Sequence, residues 1–226
     1  MLPKFQLFIL LSFLLFQGNV ISQDNNQLIN KLNRQLKNGE TTVNKLLAND
    51  SLMYLHSLTP FREMIKSNAK PGKLTMTSGT EPGTKITVKG TVVNKSGAPY
   101  KNATIYAYQT SAKGWYADTA AHILINSGDI NHARLFGYLK TDDEGKFIIE
   151  TIRPQGYPKS SLAGHIHLQY WRGGNKTLHG PDELQFEDDP RMTNERRKQS
   201  LEEGNLIAKN SGTTAKPVYE FRIVVD

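Results

Sequence analysis

No cysteine occurs anywhere in the 226 residues. That excludes disulfides, thiolate metal ligands, iron–sulfur clusters and a cysteine nucleophile, so stability must come from packing or from a bound metal. Basic stripes interleaved with aromatics are also missing. The net charge of +7 comes from lysines and arginines scattered singly among acids, which argues against nucleic acid as a partner. A generally basic surface instead attracts anionic small molecules or cell-envelope polymers. Long apolar runs are scarce too. The one from Phe5 to Phe16 is short of the roughly 20 residues that span a bilayer.

That run follows a single early positive charge, Lys4, and precedes Val20 and Ser22. Both residues are small enough for the -3 and -1 positions of a signal peptidase site, so residues 1–22 are expected to be a signal peptide cleaved before Gln23. The expected product is exported, periplasmic or secreted, with no stable membrane span once the leader is removed. An uncleaved N-terminal anchor is the alternative. With no cysteine after the leader, a diacylglycerol-modified lipoprotein is excluded.

Residues 23–78 read as a helical segment. Leu28, Leu32 and Leu36 recur every four residues and give one apolar stripe on a polar helix that ends at Asn38-Gly39. Val43, Leu46 and Leu47 mark a second short helix. A third is punctuated by Thr59 as a cap, Pro60 at the first helical position and Lys70-Pro71-Gly72 as a stop. His56 is expected to be structural or solvated. From Thr84 the period changes to two, with alternation broken at Lys95-Ser96-Gly97 and resumed from Ala103 to Gln109. Further strands are expected in GYLKTDDEGKFIIETI, HIHLQYW and VYEFRIVVD. Short strands, Gly/Asp turns and no helical spacers imply a mainly β domain over 79–226, an antiparallel β-sandwich with N-terminal helices and long loops. The excursions 117–134 and 173–210 are long enough to be functional walls or lids.

Within HIHLQYW, strand alternation puts His165 and His167 on one face and Ile166 on the other. Two imidazoles on one face can share a metal, or form a hydrogen-bonded pair. Tyr116, in Lys113-Gly114-Trp115-Tyr116, follows the strand that ends at Gln109. Tyr157 stands in Arg153-Pro154-Gln155-Gly156-Tyr157-Pro158, shortly before His165. Phenols beside imidazoles suit a hard, Lewis-acidic ion, because zinc usually selects cysteine, histidine or carboxylate. A phenol with a pKa near 10 becomes anionic at neutral pH only beside a strong cation. Each tyrosine taken alone could equally be a core or rim aromatic.

From about Pro82 to Pro190 the chain resembles the intradiol ring-cleavage dioxygenases, the catechol and protocatechuate dioxygenases. The matching pieces are GTVVNKSGAPYKNATIYAYQTSAKGWY, FGYLKTDDEGKFIIETIRPQGYP, GHIH and FEDDP. The resemblance implies Fe(III) held by Tyr116, Tyr157, His165 and His167, with a small aromatic diol and O2 as substrates. It implies that Tyr157 leaves the metal when the diol binds and takes a proton, and that the bond between the two oxygenated carbons is cut to give a muconate-type dicarboxylic acid. Family members often associate, so a homo-oligomer is an open alternative. One departure stands out: Leu162 occupies the place of a family arginine that stabilises negative charge on the ring. Arg134, His132, His122 or Arg153 could substitute, and Arg134 is the first choice as a catalytic residue. Two other readings remain: a β-sandwich binding or structural module that keeps a metal site without turnover, and a metal enzyme of another class such as a zinc hydrolase. Against the latter, no glutamate neighbours His165-Ile166-His167 in the sequence.

Overall fold

A computed structural model describes residues 23–173 and 176–226. The leader expected over 1–22 lies outside the described residues. In chain order, a helix over residues 23–37 (α1) precedes α2 (Val43–Leu47), a 3-10 turn (Asp50–Leu55) and α3 (Thr59–Ser67). Then come β1 (Lys73–Thr75), β2 (Lys85–Asn94), β3 (Thr104–Gln109), the short α4 (Asp129–His132), β4 (Leu135–Lys140), β5 (Lys146–Ile152) and β6 (His165–Arg172). The chain closes with β7 (Lys176–Leu178), β8 (Glu183–Phe186), α5 (Asn194–Glu202), β9 (Leu206–Ala208) and β10 (Val218–Val225). Among the described residues no helix is long and apolar enough to cross a membrane.

The strands form two sheets, ordered β1-β5-β2-β10 and β4-β3-β6-β8-β9, with β7 paired to β6. Alternation does what the pattern predicts. In β2, Ile86, Val88 and Val92 are buried while Lys85 and Lys89 are exposed. In β6, Ile166 and Leu168 are buried on the face opposite the two histidines. Which face of β3 and β6 meets the other sheet is fixed by Gln109. This fully buried side chain accepts a hydrogen bond from Thr151 Oγ1 at 3.0 Å and donates to Ile152 O at 2.9 Å, both on β5. Ile105, Ala107 and Gln109 therefore point into the sandwich, and Tyr106 and Tyr108 point out of it.

The sandwich with N-terminal helices and long loops matches the expected class. Its pairing, however, is mixed rather than wholly antiparallel. The central pairs β2/β5, β3/β4, β3/β6 and β6/β8 are antiparallel, whereas β1/β5, β2/β10 and β8/β9 are parallel. The parallel strands arrive after long excursions, and parallel neighbours need such connections. The stretch 173–210, expected as loop, accordingly contains β7, β8, α5 and β9.

The helical segment expected over 23–78 divides. Two compact units meet between Thr41 and Thr42. In the first, Ile29, Leu32 and Leu36 form a buried stripe on α1, with Leu28 only half-buried. The second contains α2, the 3-10 turn, α3 and β1 together with both sheets, because these helices bury core residues: Leu47, Leu55, Phe61 and Ile65 are wholly inaccessible. The start of α3 lies one residue earlier than its punctuation suggests. Leu58 is the cap and makes no side-chain cap bond, so Thr59 opens the helix and Pro60 follows.

The helix α3 covers the outer face of the second sheet through Arg62, which is 5% exposed. Its guanidinium lies 3.7 Å from the Phe136 ring centre and donates to Tyr106 Oη and to the carbonyls of His56, Ala133 and Ile130. A buried cation is tolerated here because several donors find acceptors. His56 is equally buried, stacked on Phe61 at 5.2 Å with an edge contact to Phe136. Its Nδ1 donates to Arg134 O at 2.8 Å, while Nε2 is buried without a partner.

Burial pushes the His56 pKa down to about 4, since a second proton would be stranded at Nε2. Above pH 6.5 the imidazole is neutral in both the folded and unfolded chains, and its contribution is complete. As the pH falls towards 4 only the unfolded chain takes up the proton, so stability is lost across that window, by roughly 3 kcal/mol in all. Denaturant midpoints measured from pH 7 to 5 are expected to fall less steeply in His56→Gln than in the wild type.

Candidate metal centre

The two histidines stand at the start of β6 on its outward face. Tyr108 is the direct partner of His167 across the β3/β6 pair. The rings stack with centres 4.5 Å apart and planes 14° from parallel, so a cross-strand neighbour orients the imidazole. His165 is held differently. Its Nδ1 donates to Ala163 O at 2.9 Å, which leaves Nε2 with a free lone pair directed away from its own strand.

Two loops bring the phenols to these nitrogens. The loop after β3 is closed by Ser111 N–H to Trp115 O at 2.8 Å, and Tyr116 is fixed at both ends, its N–H to Ala121 O and its O to Arg134 N–H at 2.9 Å. The loop after β5 is tied to the first by Gln155, whose N–H donates to Ser111 O and whose carbonyl accepts from Thr110 Oγ1 at 2.6 Å. Glycine is required where the backbones touch. A Cβ on Gly114, at φ +75°, would overlap Gly156 O, and one on Gly156 would overlap Leu162 O and Arg191 Nη1. The proline and glycine around Tyr157 thus set a backbone-to-backbone contact, not just a turn.

The four polar tips converge. Tyr116 Oη lies 2.7 Å from Tyr157 Oη and 2.9 Å from His167 Nε2. Tyr157 Oη lies 3.0 Å from His165 Nε2 and 3.4 Å from His167 Nε2, and the two Nε2 atoms are 3.1 Å apart. These separations match the edges of a coordination polyhedron with bonds of about 2 Å. Without a cation the two phenols and His167 are held neutral. Burial raises Tyr116 far above the ordinary phenol range, with the adjacent Tyr157 adding to it, and raises Tyr157 to about 12. Burial, helped by His165, lowers His167 to about 3. Lone pairs of neutral imidazoles and phenols packed this closely form a potential metal-binding site, and oxygen and nitrogen donors of this kind fit iron.

Glu183 was missed in the sequence because it is a neighbour across strands and not along the chain. It faces His167 in the β6/β8 register, with Oε1 4.0 Å from His165 Nε2 and 3.9 Å from His167 Nδ1. His165, His167 and Glu183 form a potential metal-holding group among the described residues. The one charged residue in the ELQF strand was the available signal. Arg191 was missed as well. Its Nη1 donates to Tyr157 O at 3.0 Å and Leu162 O at 3.2 Å, bracing the loop between the second phenol and the histidines. Asp189 is buried and accepts from the N–H groups of Gly164 and Arg191.

Arg134 stands outside the group of four. Its Nη1 and Nη2 donate to Glu81 at 2.6 and 2.8 Å, and Nε lies 2.9 Å from Asp118 Oδ1, close enough for an ion pair though not aligned for a hydrogen bond. Two of its donors are held by Glu81, so the guanidinium is turned to carboxylates and not to the group of four, where the catalytic role expected for it would require it. Arg153 pairs with Asp188 at 2.8 Å, and His132 bonds Gly128 O. Of the four candidate substitutes for the absent arginine, only His122 meets the centre. Its ring lies 4.5 Å from that of Tyr157, and its Nδ1 is 2.8 Å from Asp129 Oδ2.

A model of the dioxygenase family matches residues 60–224. A catechol 1,2-dioxygenase of Candida albicans (strain SC5314 / ATCC MYA-2876) is 34% identical over 74 residues, which are 33% of this chain and 22% of that protein. The match thus spans about a fifth of that relative's length. Among solved structures, an intradiol ring-cleavage dioxygenase from Tetranychus urticae is similar with a TM-score of 0.53 at 16% identity, covering 70% of this chain and 87% of that one. The dioxygenase domain of a dioxygenase–carbohydrate-binding protein fusion from Streptomyces sp. SirexAA-E is similar with a TM-score of 0.51 at 21% identity, covering 70% and 89%. At these identities the structural likeness concerns the fold.

Gly156→Ala is expected to lower stability by about 1–3 kcal/mol, the usual cost of forcing an atom into a packed site. Because the loop that must shift carries Tyr157, metal retention should fall with it. Denaturant unfolding and metal content of the purified variant would check both.

Proposed function

The chain belongs to the intradiol ring-cleavage dioxygenase family, and from that premise we propose that it is a non-haem Fe(III) dioxygenase. It cleaves the bond between the two hydroxyl-bearing carbons of a catechol-type aromatic with O2. The observation that carries this is the approach of two phenol oxygens and two imidazole nitrogens, each to within 2.7–3.4 Å of at least two of the others. Fe(III) held there would supply a Lewis acid and a template for the diol and O2. Tyr116, 1% exposed and fixed at both backbone ends, suits a permanent ligand. Tyr157 is half-buried on the loop braced by Arg191. It suits the ligand that withdraws to admit the diol, its oxygen then accepting a proton from a substrate hydroxyl. His165 keeps its Nε2 lone pair on the metal side by donating Nδ1–H to Ala163 O. In the same reading the leader over 1–22 makes this an exported enzyme.

A second reading is favoured by the ion pairs of Arg134 and Arg153, together with Leu162. Among the described residues, neither of these two guanidinium groups takes the place of the missing arginine. A sandwich that holds metal without cleaving rings follows if that charge is indispensable.

Colour and oxygen separate the two. Iron loading at neutral pH is expected to release protons, because both phenols start protonated, and to give a visible phenolate-to-iron band. Tyr157→Phe and Tyr116→Phe should each shift or weaken that band. Catechol should shift it in the wild type and be consumed with one O2 per diol. A colourless protein that refuses ferric iron would end the proposal, and colour without oxygen uptake would favour the second reading.

A further inference from the structure

The carboxylate of Glu183 stands on the edge of the four-donor cluster, and a buried chain of side chains aims it there. Its Oε2 accepts from Gln185 Nε2 at 2.9 Å. Gln185 Oε1 accepts from Ser200 Oγ at 2.7 Å, and Ser200 Oγ accepts from Arg196 Nε at 3.0 Å. Gln185 and Ser200 are both wholly buried. A rim glutamate left to solvent would need no such support.

The acids nearest the donor atoms reinforce its negative charge: Glu183 and Asp129 act on the Tyr157 hydroxyl, and Asp182 joins them at Tyr108. The His122–Asp129 pair is at most neutral. Arg134 and Arg153 are paired with carboxylates, and Arg191, though still charged, directs Nη1 to the carbonyls of Tyr157 and Leu162 rather than to the donor atoms. Leu162 adds no charge where the resembling enzymes carry a cation.

We propose that Glu183 makes this centre selective for dihydroxy aromatics that carry no anionic ring substituent, an inference that rests on the ring-cleavage reading above. The Glu183 Oε1 lies 4.0 Å from His165 Nε2 and 3.9 Å from His167 Nδ1, so its charge acts on a ring bound at the four donors. Like charges at that range in a half-buried site repel strongly enough to change affinity by about tenfold or more. Neutral and cationic diols escape this repulsion.

The test is a visible-band titration of the iron-loaded protein with 3,4-dihydroxybenzoate, its neutral analogue 3,4-dihydroxybenzamide, and the cationic 3,4-dihydroxyphenethylamine. The amide controls for the electron withdrawal of the carboxylate. The wild type should bind the amide at least about tenfold more tightly than the benzoate, with the amine no weaker than the amide. In Glu183→Gln and Glu183→Ala the gap between amide and benzoate should shrink by most of that factor. Equal binding of benzoate and amide by the wild type would overturn the selectivity, and an unchanged ratio in both variants would remove Glu183 as its source. Loss of iron from both variants would also overturn the proposal, by making Glu183 part of the metal-holding set. Failure of every diol to bind would overturn the ring-cleavage reading itself.

Discussion

Four lone-pair-bearing atoms from Tyr116, Tyr157, His165 and His167 come within hydrogen-bond distance of one another. Very little else in the fold makes sense without that meeting. Two of the atoms come from one strand and need only the alternation of β6, supported by the stacked Tyr108 and the Ala163 carbonyl. The other two come from loops separated by 41 residues, and neither loop reaches the strand unaided. The contact at Gly114 and Gly156, the bridge from Gln155 to the first loop, and the bracing by Arg191 and Asp189 all press those loops together. The two phenols and His167, held uncharged by burial and standing beside His165, are arranged for a cation to join them.

The parts of this that were legible in the sequence are those that depend on local order. The period of two marked β2 to β6 and β10, and the spacing of His165 and His167 put both on one face. The four converging residues were named through resemblance, since no spacing rule brings residues 116 and 157 together. Long-range pairing was not legible. Glu183 became visible only when β8 lay beside β6, and Gln185, Ser200 and Arg196 only when α5 packed against them. Arg134 shows the same limit: its chain neighbours suggested the centre, but Glu81, 53 residues away, holds its side chain.

Charge distinguishes this centre from the pattern it resembles. An apolar residue occupies position 162, and a carboxylate with a dedicated support faces the histidines. The four donors are thus accompanied by one acidic side chain beside the histidines and by no charge at position 162. Fold and donor set are common property of the family, whereas the rim is where chains of one family come to differ in what they accept.

The backbone contact between the phenol loops has an implication for the choice of ion. When side-chain rotamers alone define a cavity, it breathes and admits guests of several sizes. Here glycine against carbonyl oxygen sets how closely the two phenol-bearing loops can approach, and the hydrogen bonds of Gln155 oppose their parting. A cage walled by main chain in this way would favour one ionic radius over a range of them.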